Sequence, residues 1–171
     1  KRGFLLGNEL LTEEFAQEGI VLDTESPEVV VVGFDTTLTY EKMCRVCDFV
    51  REGLPYLSTH PDYNCPTETG FIPDAGAIHA FIRASAGREP DHIIGKPNSD
   101  IMDYLVAREG VDKARTAMVG DRLYTDVAAG VNNGYTGILV LSGEATMEDV
   151  KVSDVEPDLI FDSVKDMIPF L

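Results

Sequence analysis

The chain has 171 residues, 44% of them apolar, which is enough for one packed domain or two small ones. Fourteen Lys and Arg against 30 Asp and Glu give a formal net charge of -16. Because this charge repels nucleic acids and anionic lipids, we expect no nucleic-acid or membrane partner. No apolar run has the length of a membrane span and no signal peptide is visible, so we expect a cytoplasmic protein.

Predicted strands and helices alternate in the first half of the chain. In chain order they are a strand GFLLG, a helix TEEFAQEG capped by Thr12, a strand EVVVVGF, a helix around MCRVCDF, a strand PYLSTH, a polar turn PDYNCPTETG and a helix DAGAIHAFIRASAG ending at Gly87. This alternation predicts βαβ units, with a parallel sheet and helices packed on its faces.

The second half of the chain repeats this alternation with purer apolar runs. Its predicted strands are HIIG, TAMVG, TGILVL and DLIF, separated by predicted helices such as SDIMDYLVAREG, TDVAAGVNN and SVKDMIPFL. Continuous apolar runs are typical of parallel strands that are buried on both faces. We place a domain boundary near Arg88 to Asp91, which predicts an α/β domain over residues 1–89 and a second over residues 90–171.

Two of the three cysteines, Cys44 and Cys47, form a C-x-x-C motif that could indicate redox chemistry or half of a zinc site. Both cysteines share one stripe of the predicted helix with Tyr40, Met43 and Val50, at spacings of three and four residues. No second pair of ligands completes a zinc site. We therefore predict that both thiols are buried packing groups.

The residues that follow the predicted strands are the candidates for chemistry, because ligands of open α/β sheets bind at the carboxyl ends of the strands. Asp121 follows TAMVG and Asp126 begins the next helix, while Lys96 follows HIIG. Two carboxylates can hold Mg²⁺ together with water and phosphate oxygens, and an ammonium group stabilises the accompanying negative charge. The alternative is a structural role, in which Asp121 opens a turn and Asp126 interacts with the helix dipole.

The stretches IIGKPNSDIMDYL and AMVGDRLYTDVAAGVNNGY resemble the third and fourth motifs of the haloacid dehalogenase (HAD) superfamily. Together with STHPDYNCPTETGFIPDAGAIHAFI, they make nearly the whole chain similar to the NagD-like and p-nitrophenylphosphatase-like branch. The resemblance implies an α/β fold, with a Rossmann-like parallel sheet that is the C-terminal half of a HAD core over residues 90–171. It also implies an α/β cap of type C2 over residues 1–89.

The resemblance also implies roles for individual residues. Lys96 would neutralise the nucleophile and the phosphate, Asp121 would bind Mg²⁺, and Asp126 would support the metal site. The loop after PYLST faces the active site in this family, which gives His60, Asp62 and Glu68 a role in substrate choice, although HPDYN is equally an ordinary turn. The implied substrate is a small phosphorylated metabolite, and caps of this type also form homodimer contacts.

The family's nucleophile comes from a D-x-D-x-T loop, and the stretch VVVVGFDTTLTY resembles that loop without supplying one. Gly33 falls at the nucleophile position and has no side chain to attack phosphorus. We predict instead that Asp35 makes a turn and Thr39 caps a helix. With no nucleophile before residue 90 and Lys1 at the start, we expect a fragment that lacks its N-terminal half-core.

Two functions follow from this expectation. The first is a Mg²⁺-dependent phosphatase that works through an aspartyl-phosphate, of which this chain alone is inactive. The alternative is a non-catalytic Rossmann-like module that binds a phosphorylated ligand or a protein partner.

Overall fold

The computed structural model describes residues 1–170, which divide into an N-terminal unit, Lys1–Ile94, and a C-terminal unit that begins at Gly95. The division follows residue 94 because the strand His92–Ile93 pairs with the sheet of the N-terminal unit. The sequence predicted this strand as the first of the second domain. Within residues 1–170, the model contains no helix with the length and apolar character needed to cross a membrane.

The N-terminal unit is a parallel sheet with helices between its strands. Its elements are β1 (Gly3–Leu6), α1 (Glu9–Gln17), β2 (Val29–Val32), α2 (Tyr40–Arg51), β3 (Tyr56–Ser58), β4 (Asn64–Thr67), β5 (Gly70–Pro73), α3 (Ala75–Ala86) and β6 (His92–Ile93). Strands β1, β2, β3 and β6 pair in parallel in that order, and β4 and β5 form a separate antiparallel hairpin. The predicted α/β class with a parallel sheet is therefore confirmed.

The core of this unit lies between the sheet and helices α2 and α3. Alternate residues of each strand face it, because side chains alternate between the two faces of a strand. The buried cluster consists of Phe4, Leu6, Val30, Val32, Met43, Val46, Cys47, Phe49, Val50, Tyr56, Ile78 and Ile82. The two helices contribute residues at spacings of three and four, which place one stripe of each helix against the sheet.

Three local predictions in the N-terminal unit are wrong. Helix α1 begins after Asn8, whose side chain accepts a hydrogen bond from the Leu11 N–H, and Thr12 lies inside the helix. The segment predicted as a polar turn contains the β4–β5 hairpin, and β5 begins at a glycine with positive φ, Gly70. Cys44 is exposed while Cys47 is buried, because the buried stripe of α2 runs through Val46 and Phe49 and turns Cys44 outward.

The loop after β2 is fixed by a buried carboxylate, Asp35. Its Oδ1 accepts hydrogen bonds from the N–H and hydroxyl of Thr37, and Thr39 caps α2, so the predicted turn and cap are confirmed. The Lys42 ammonium lies 2.7 Å from Asp35 Oδ2. Burial alone would raise the pKa of Asp35, but the hydrogen bonds from Lys42 and Thr37 outweigh it and hold the pKa below its ordinary value.

Replacing Lys42 with methionine should destabilise the N-terminal unit by about 3 kcal/mol, because it leaves a buried carboxylate without its partner. Urea unfolding at neutral pH measures the loss. The double substitution Lys42→Met and Asp35→Asn removes both charges and should recover part of it. Equal stability of wild type and Lys42→Met would show that the pair does not hold the loop.

The C-terminal unit contains a second, three-stranded parallel sheet. Its elements are α4 (Asp100–Glu109), a 3-10 helix (Lys113–Arg115), β7 (Ala117–Gly120), a π-helical turn (Leu123–Val127), α5 (Ala128–Val131), β8 (Thr136–Val140), α6 (Met147–Val152), β9 (Leu159–Phe161) and a 3-10 helix (Val164–Phe170). The strand order is β7, β8, β9, with the buried β8 in the centre. The last predicted helix forms as a 3-10 helix that contains Pro169.

Candidate functional site

The candidate site lies at the carboxyl end of β7 in the C-terminal unit. The strand ends at Gly120, Asp121 follows directly, and the chain then enters the π-helical turn Leu123–Val127. Such turns are rare and are frequently found at functional sites. This turn carries Asp126, and the sequence analysis predicted an ordinary α-helical start there.

Two glycines make room for the two carboxylates. A Cβ atom on Gly120 would lie 2.2 Å from the Cβ of Asp126, which is far inside van der Waals contact. A Cβ atom on Gly143, in the loop after β8, would lie 2.0 Å from Asp121 Oδ2. The close approach of Asp126 to the strand end therefore depends on glycine at position 120, and the position of Asp121 depends on glycine at position 143.

Replacing Gly120 with alanine should push Asp126 away from the end of β7 and lower the free energy of unfolding by about 1–3 kcal/mol, the usual cost of overpacking. The matched control is Gly3→Ala, where the atom nearest to the added methyl group, Leu22 Cδ2, would lie 3.8 Å away. Thermal and urea unfolding of both variants measure the difference. If the two substitutions cost the same, the close packing of Asp126 is not the reason for glycine at position 120.

Lys96 and Asp126 form an ion pair in this unit. The Lys96 Nζ lies 2.5 Å from Asp126 Oδ1, and the other carboxylate oxygen accepts a hydrogen bond from the Arg122 N–H at 3.3 Å. Asp126 is only 5% exposed, whereas the Lys96 side chain is 45% exposed. A lysine ammonium has three donors, so Asp126 fixes its position and leaves donors that can bind an anion from solvent.

Asp121 is held by the loop that follows β8. Its Oδ2 accepts a hydrogen bond from the Glu144 N–H at 2.8 Å, and its carbonyl oxygen accepts one from the Ala145 N–H at 3.0 Å. Within residues 1–170, Oδ1 of Asp121 has no hydrogen-bond partner. The structure thus fixes this carboxylate and leaves one of its oxygens open.

The donor set of the site suits Mg²⁺, which takes carboxylate oxygens and keeps several water or phosphate ligands. Asp121 has the open oxygen, while both oxygens of Asp126 are already hydrogen bonded. The described part of the chain contains no cluster of three or more His, Cys, Asp or Glu side chains arranged for a metal ion. A Mg²⁺ ion here would therefore have Asp121 as its ligand from this unit, with Asp126 acting through Lys96.

Thr125 lies in the π-helical turn beside Asp126 and was not predicted as a site residue from the sequence. Its hydroxyl is buried and has no hydrogen-bond partner in the described structure. Buried polar groups without partners are rare, so an orphaned hydroxyl inside the motif distinguishes this position. The sequence indicated it only by its place between the two aspartates.

The other three predicted site residues lie in the N-terminal unit. The ring of His60 is bonded on both sides, with Nε2 2.6 Å from Asp74 Oδ1 and Nδ1 2.8 Å from Thr59 Oγ1. The carbonyl of Asp62 accepts a hydrogen bond from the Gly76 N–H, and Glu68 is exposed between β4 and β5. Their role in substrate choice stays a prediction.

Comparison with known proteins finds one consistent group. A family model described as HAD-hydrolase-like matches residues 93–167. The acid sugar phosphatase of Staphylococcus aureus is 37% identical over 166 residues, which are 96% of this chain and 64% of that protein. The chain thus spans just under two thirds of the length of this curated relative.

Solved structures give the same result. The 4-nitrophenylphosphatase of Thermotoga maritima superposes with a TM-score of 0.93 and 49% identity, over 98% of this chain and 64% of that one. The p-nitrophenyl phosphatase of Archaeoglobus fulgidus superposes with a TM-score of 0.92 and 35% identity, over 99% and 67%. The glycerol phosphate phosphatase of Mycobacterium tuberculosis, solved in complex with magnesium, has a TM-score of 0.90 and 27% identity, over 97% and 51%.

Proposed function

Since the chain belongs to the HAD-like hydrolases, in the group of NagD-like and p-nitrophenylphosphatase-like proteins, we propose that its protein is a Mg²⁺-dependent phosphatase of small phosphorylated metabolites. The observation that carries the proposal is the ion pair of Lys96 with the buried Asp126, in the segment that begins with Asp121 at the end of β7. Lys96 provides a fixed cation and Asp121 an open carboxylate oxygen, the two features that binding a phosphate ester together with its metal requires.

Each of the three residues has a distinct part in the proposed reaction. The ammonium of Lys96 binds a phosphate oxygen and lowers the repulsion between the phosphate and an attacking carboxylate. Asp126 holds that ammonium in place through the 2.5 Å contact. Asp121 would hold Mg²⁺, which supplies further neutralisation of phosphate charge when it is bound.

The nucleophile of the proposed reaction lies outside these 171 residues. In-line attack by an aspartate on phosphorus gives an aspartyl-phosphate, which water then hydrolyses. The chain contains no D-x-D-x-T sequence, and glycine occupies the first position of its nearest look-alike, at Gly33. We therefore propose that the C-terminal unit is one half of a HAD core, that the N-terminal unit is its cap, and that the chain alone is inactive.

The relatives carry different names, among them an acid sugar phosphatase and a 4-nitrophenylphosphatase. We therefore propose only the class, a phosphomonoester of a small metabolite. The cytoplasmic location and the homodimer remain predictions, and the charge of -16 still disfavours nucleic acid as a partner.

Phosphate release from p-nitrophenyl phosphate and a panel of sugar phosphates tests the proposal, with the whole protein and the verified 171-residue chain assayed side by side. We expect turnover by the whole protein that stops when EDTA removes Mg²⁺, and none by the 171-residue chain. Turnover by that chain would place the nucleophile inside it. A whole protein that hydrolyses no phosphomonoester but binds one would favour the non-catalytic module.

A further inference from the structure

The loop that carries Lys96 is bonded to the end of α5 by the side chain of Asn133, to which no role has been given so far. Asn133 Nδ2 donates one hydrogen bond to the Pro97 carbonyl at 2.9 Å and one to the Ala129 carbonyl at 3.0 Å. An asparagine NH2 group has two donors, so both are engaged here. Asn133 therefore connects the residue after Lys96 with the helix that follows Asp126.

The chemistry of the two acceptors requires an amide at position 133. Both acceptors are backbone carbonyl oxygens, which accept hydrogen bonds and cannot donate them. A carboxylate of the same shape would place negative charge against two carbonyl oxygens, and an alanine side chain would bond to neither. Because both hydrogen bonds are partly buried, losing the NH2 group also leaves carbonyl oxygens partly shielded from water without their partner.

The end of α5 fixes the position of Asn133. Its backbone N–H donates to the Gly130 carbonyl at 3.2 Å, and Gly134 follows in the left-handed conformation, with φ of 77°. The last carbonyls of a helix need partners from outside the helical hydrogen-bond pattern, and the Asn133 side chain supplies one for Ala129. The amide thus extends from a well-defined helix end towards the Lys96 loop.

Apolar packing also brings the segment after Lys96 close to α5. Met102 of α4 shares a buried cluster with Ala129 and Tyr135. Apolar contact is non-directional, so it holds α4 against α5 without setting the orientation of the loop that precedes α4. The hydrogen bond from Asn133 is directional, and it acts on the residue directly after Lys96.

The place of the Lys96 ammonium depends on the backbone from which the side chain extends. The side chain is 45% exposed, and its Nζ lies 2.5 Å from Asp126 Oδ1. A lysine has a flexible aliphatic stem, and holding it in one geometry costs side-chain entropy. That cost is smaller when the backbone is fixed as well as the tip. Asp126 holds the ammonium, and Asn133 holds the loop at the other end of the side chain.

We propose that Asn133 is a positioning residue for Lys96. Its amide sets the place of the Lys96 loop relative to the π-helical turn that carries Asp126, and thereby the place of the ammonium. The effect of Asn133 on the reaction is exerted through Lys96. This catalytic consequence rests on the proposed function, whereas the coupling between Asn133 and Lys96 exists with or without phosphatase activity.

Steady-state kinetics of the whole protein with p-nitrophenyl phosphate test the catalytic consequence. We expect Asn133→Ala to lower kcat roughly 10- to 100-fold, because small displacements of a catalytic group have costs of this size. KM should change less than about threefold, because the contact of Lys96 with the phosphate strengthens during reaction. In the Lys96→Met background the same substitution should lower kcat less than about twofold, since the group that it positions is already absent.

Two further variants serve as controls. Asn132→Ala removes an exposed amide from the neighbouring position and should leave kcat unchanged. Asn133→Ser keeps one donor, which can bond to the carbonyl four residues earlier, that of Ala129, but cannot serve both carbonyls. We expect Asn133→Ser to recover stability relative to Asn133→Ala without recovering kcat. Recovery of kcat together with stability would show that Asn133 acts by capping α5.

Urea unfolding of the whole protein measures the coupling without turnover. We expect Lys96→Met to lower the urea midpoint at least about twice as much in the wild-type background as in the Asn133→Ala background. Equal lowering in both backgrounds would overturn the inference, as would an Asn133→Ala loss in kcat that is the same with and without Lys96. If the whole protein hydrolyses no phosphomonoester, the proposed function fails, and the unfolding measurements still decide whether Asn133 positions Lys96.

Discussion

Replacing Lys96 with methionine is expected to lower the kcat of the whole protein roughly 10²- to 10³-fold, the usual cost of removing one fixed donor to developing negative charge. The substitution removes the ammonium that contacts Asp126 and that we assign to the phosphate. Phosphate release at saturating substrate and Mg²⁺ measures the effect. We expect the loss mainly in kcat, because the interaction strengthens as charge gathers on the phosphate during reaction.

Two further variants separate chemistry from folding. Lys151→Met is the matched control, because Lys151 is 68% exposed and pairs only loosely with Glu148, at 3.5 Å. The double substitution Lys96→Met and Asp126→Asn removes the buried unpaired carboxylate, so it should recover stability without recovering activity. If the Lys96→Met protein keeps half of the wild-type kcat, Lys96 takes no part in the mechanism.

Replacing Asp121 with asparagine is expected to lower kcat/KM at least about 100-fold at a fixed Mg²⁺ concentration, because the carboxylate that we propose as the Mg²⁺ ligand becomes a neutral amide. The asparagine oxygen can still accept the hydrogen bond from the Glu144 N–H, so the fold should persist. Activity as a function of Mg²⁺ concentration measures the effect, and Mn²⁺ binding followed by electron paramagnetic resonance gives a readout without turnover.

The control for this variant is Asp154→Asn, an exposed carboxylate of the same unit. It loses the same charge, so a general electrostatic effect would change both proteins equally. Unchanged Mg²⁺ dependence and unchanged Mn²⁺ binding in Asp121→Asn would show that the metal is held elsewhere.

The fold class could be predicted from the sequence because strand and helix periodicities differ and alternate along this chain. Strands such as AMVG and TGILV are continuous apolar runs, and both form parallel strands in the structure. The end of α3 at Gly87 could also be predicted, because helices commonly end at a glycine in the left-handed conformation. Gly87 has this conformation, with φ of 73°.

Other features could not be predicted because they depend on distant contacts. Lys96 and Asp126 are 30 positions apart, and only the folded unit brings their side chains to 2.5 Å. Whether Cys44 or Cys47 is buried depends on how far α2 rotates against the sheet, which helical spacing alone does not fix. The boundary between the units depends on the pairing of β6 with β3. A strand of two residues is too short to show which sheet it joins from its sequence pattern.

The residues of the candidate site could be predicted from their type, Lys or Asp, and from their positions after predicted strands. The role of glycine at position 120 could not be predicted, because it follows from the close approach of Asp126 to Gly120 in the folded unit. The same holds for Thr125, whose hydroxyl is unusual only because its surroundings lack a partner.

Locating the phosphorylated residue in the whole protein tests the central claim most directly. The protein is incubated with a phosphomonoester and Mg²⁺, quenched in acid, reduced with borohydride to convert an aspartyl-phosphate to a stable product, and mapped by mass spectrometry. We predict a single modified aspartate in a peptide outside these 171 residues. Modification of Asp35, or of any other residue within the chain, would contradict the account.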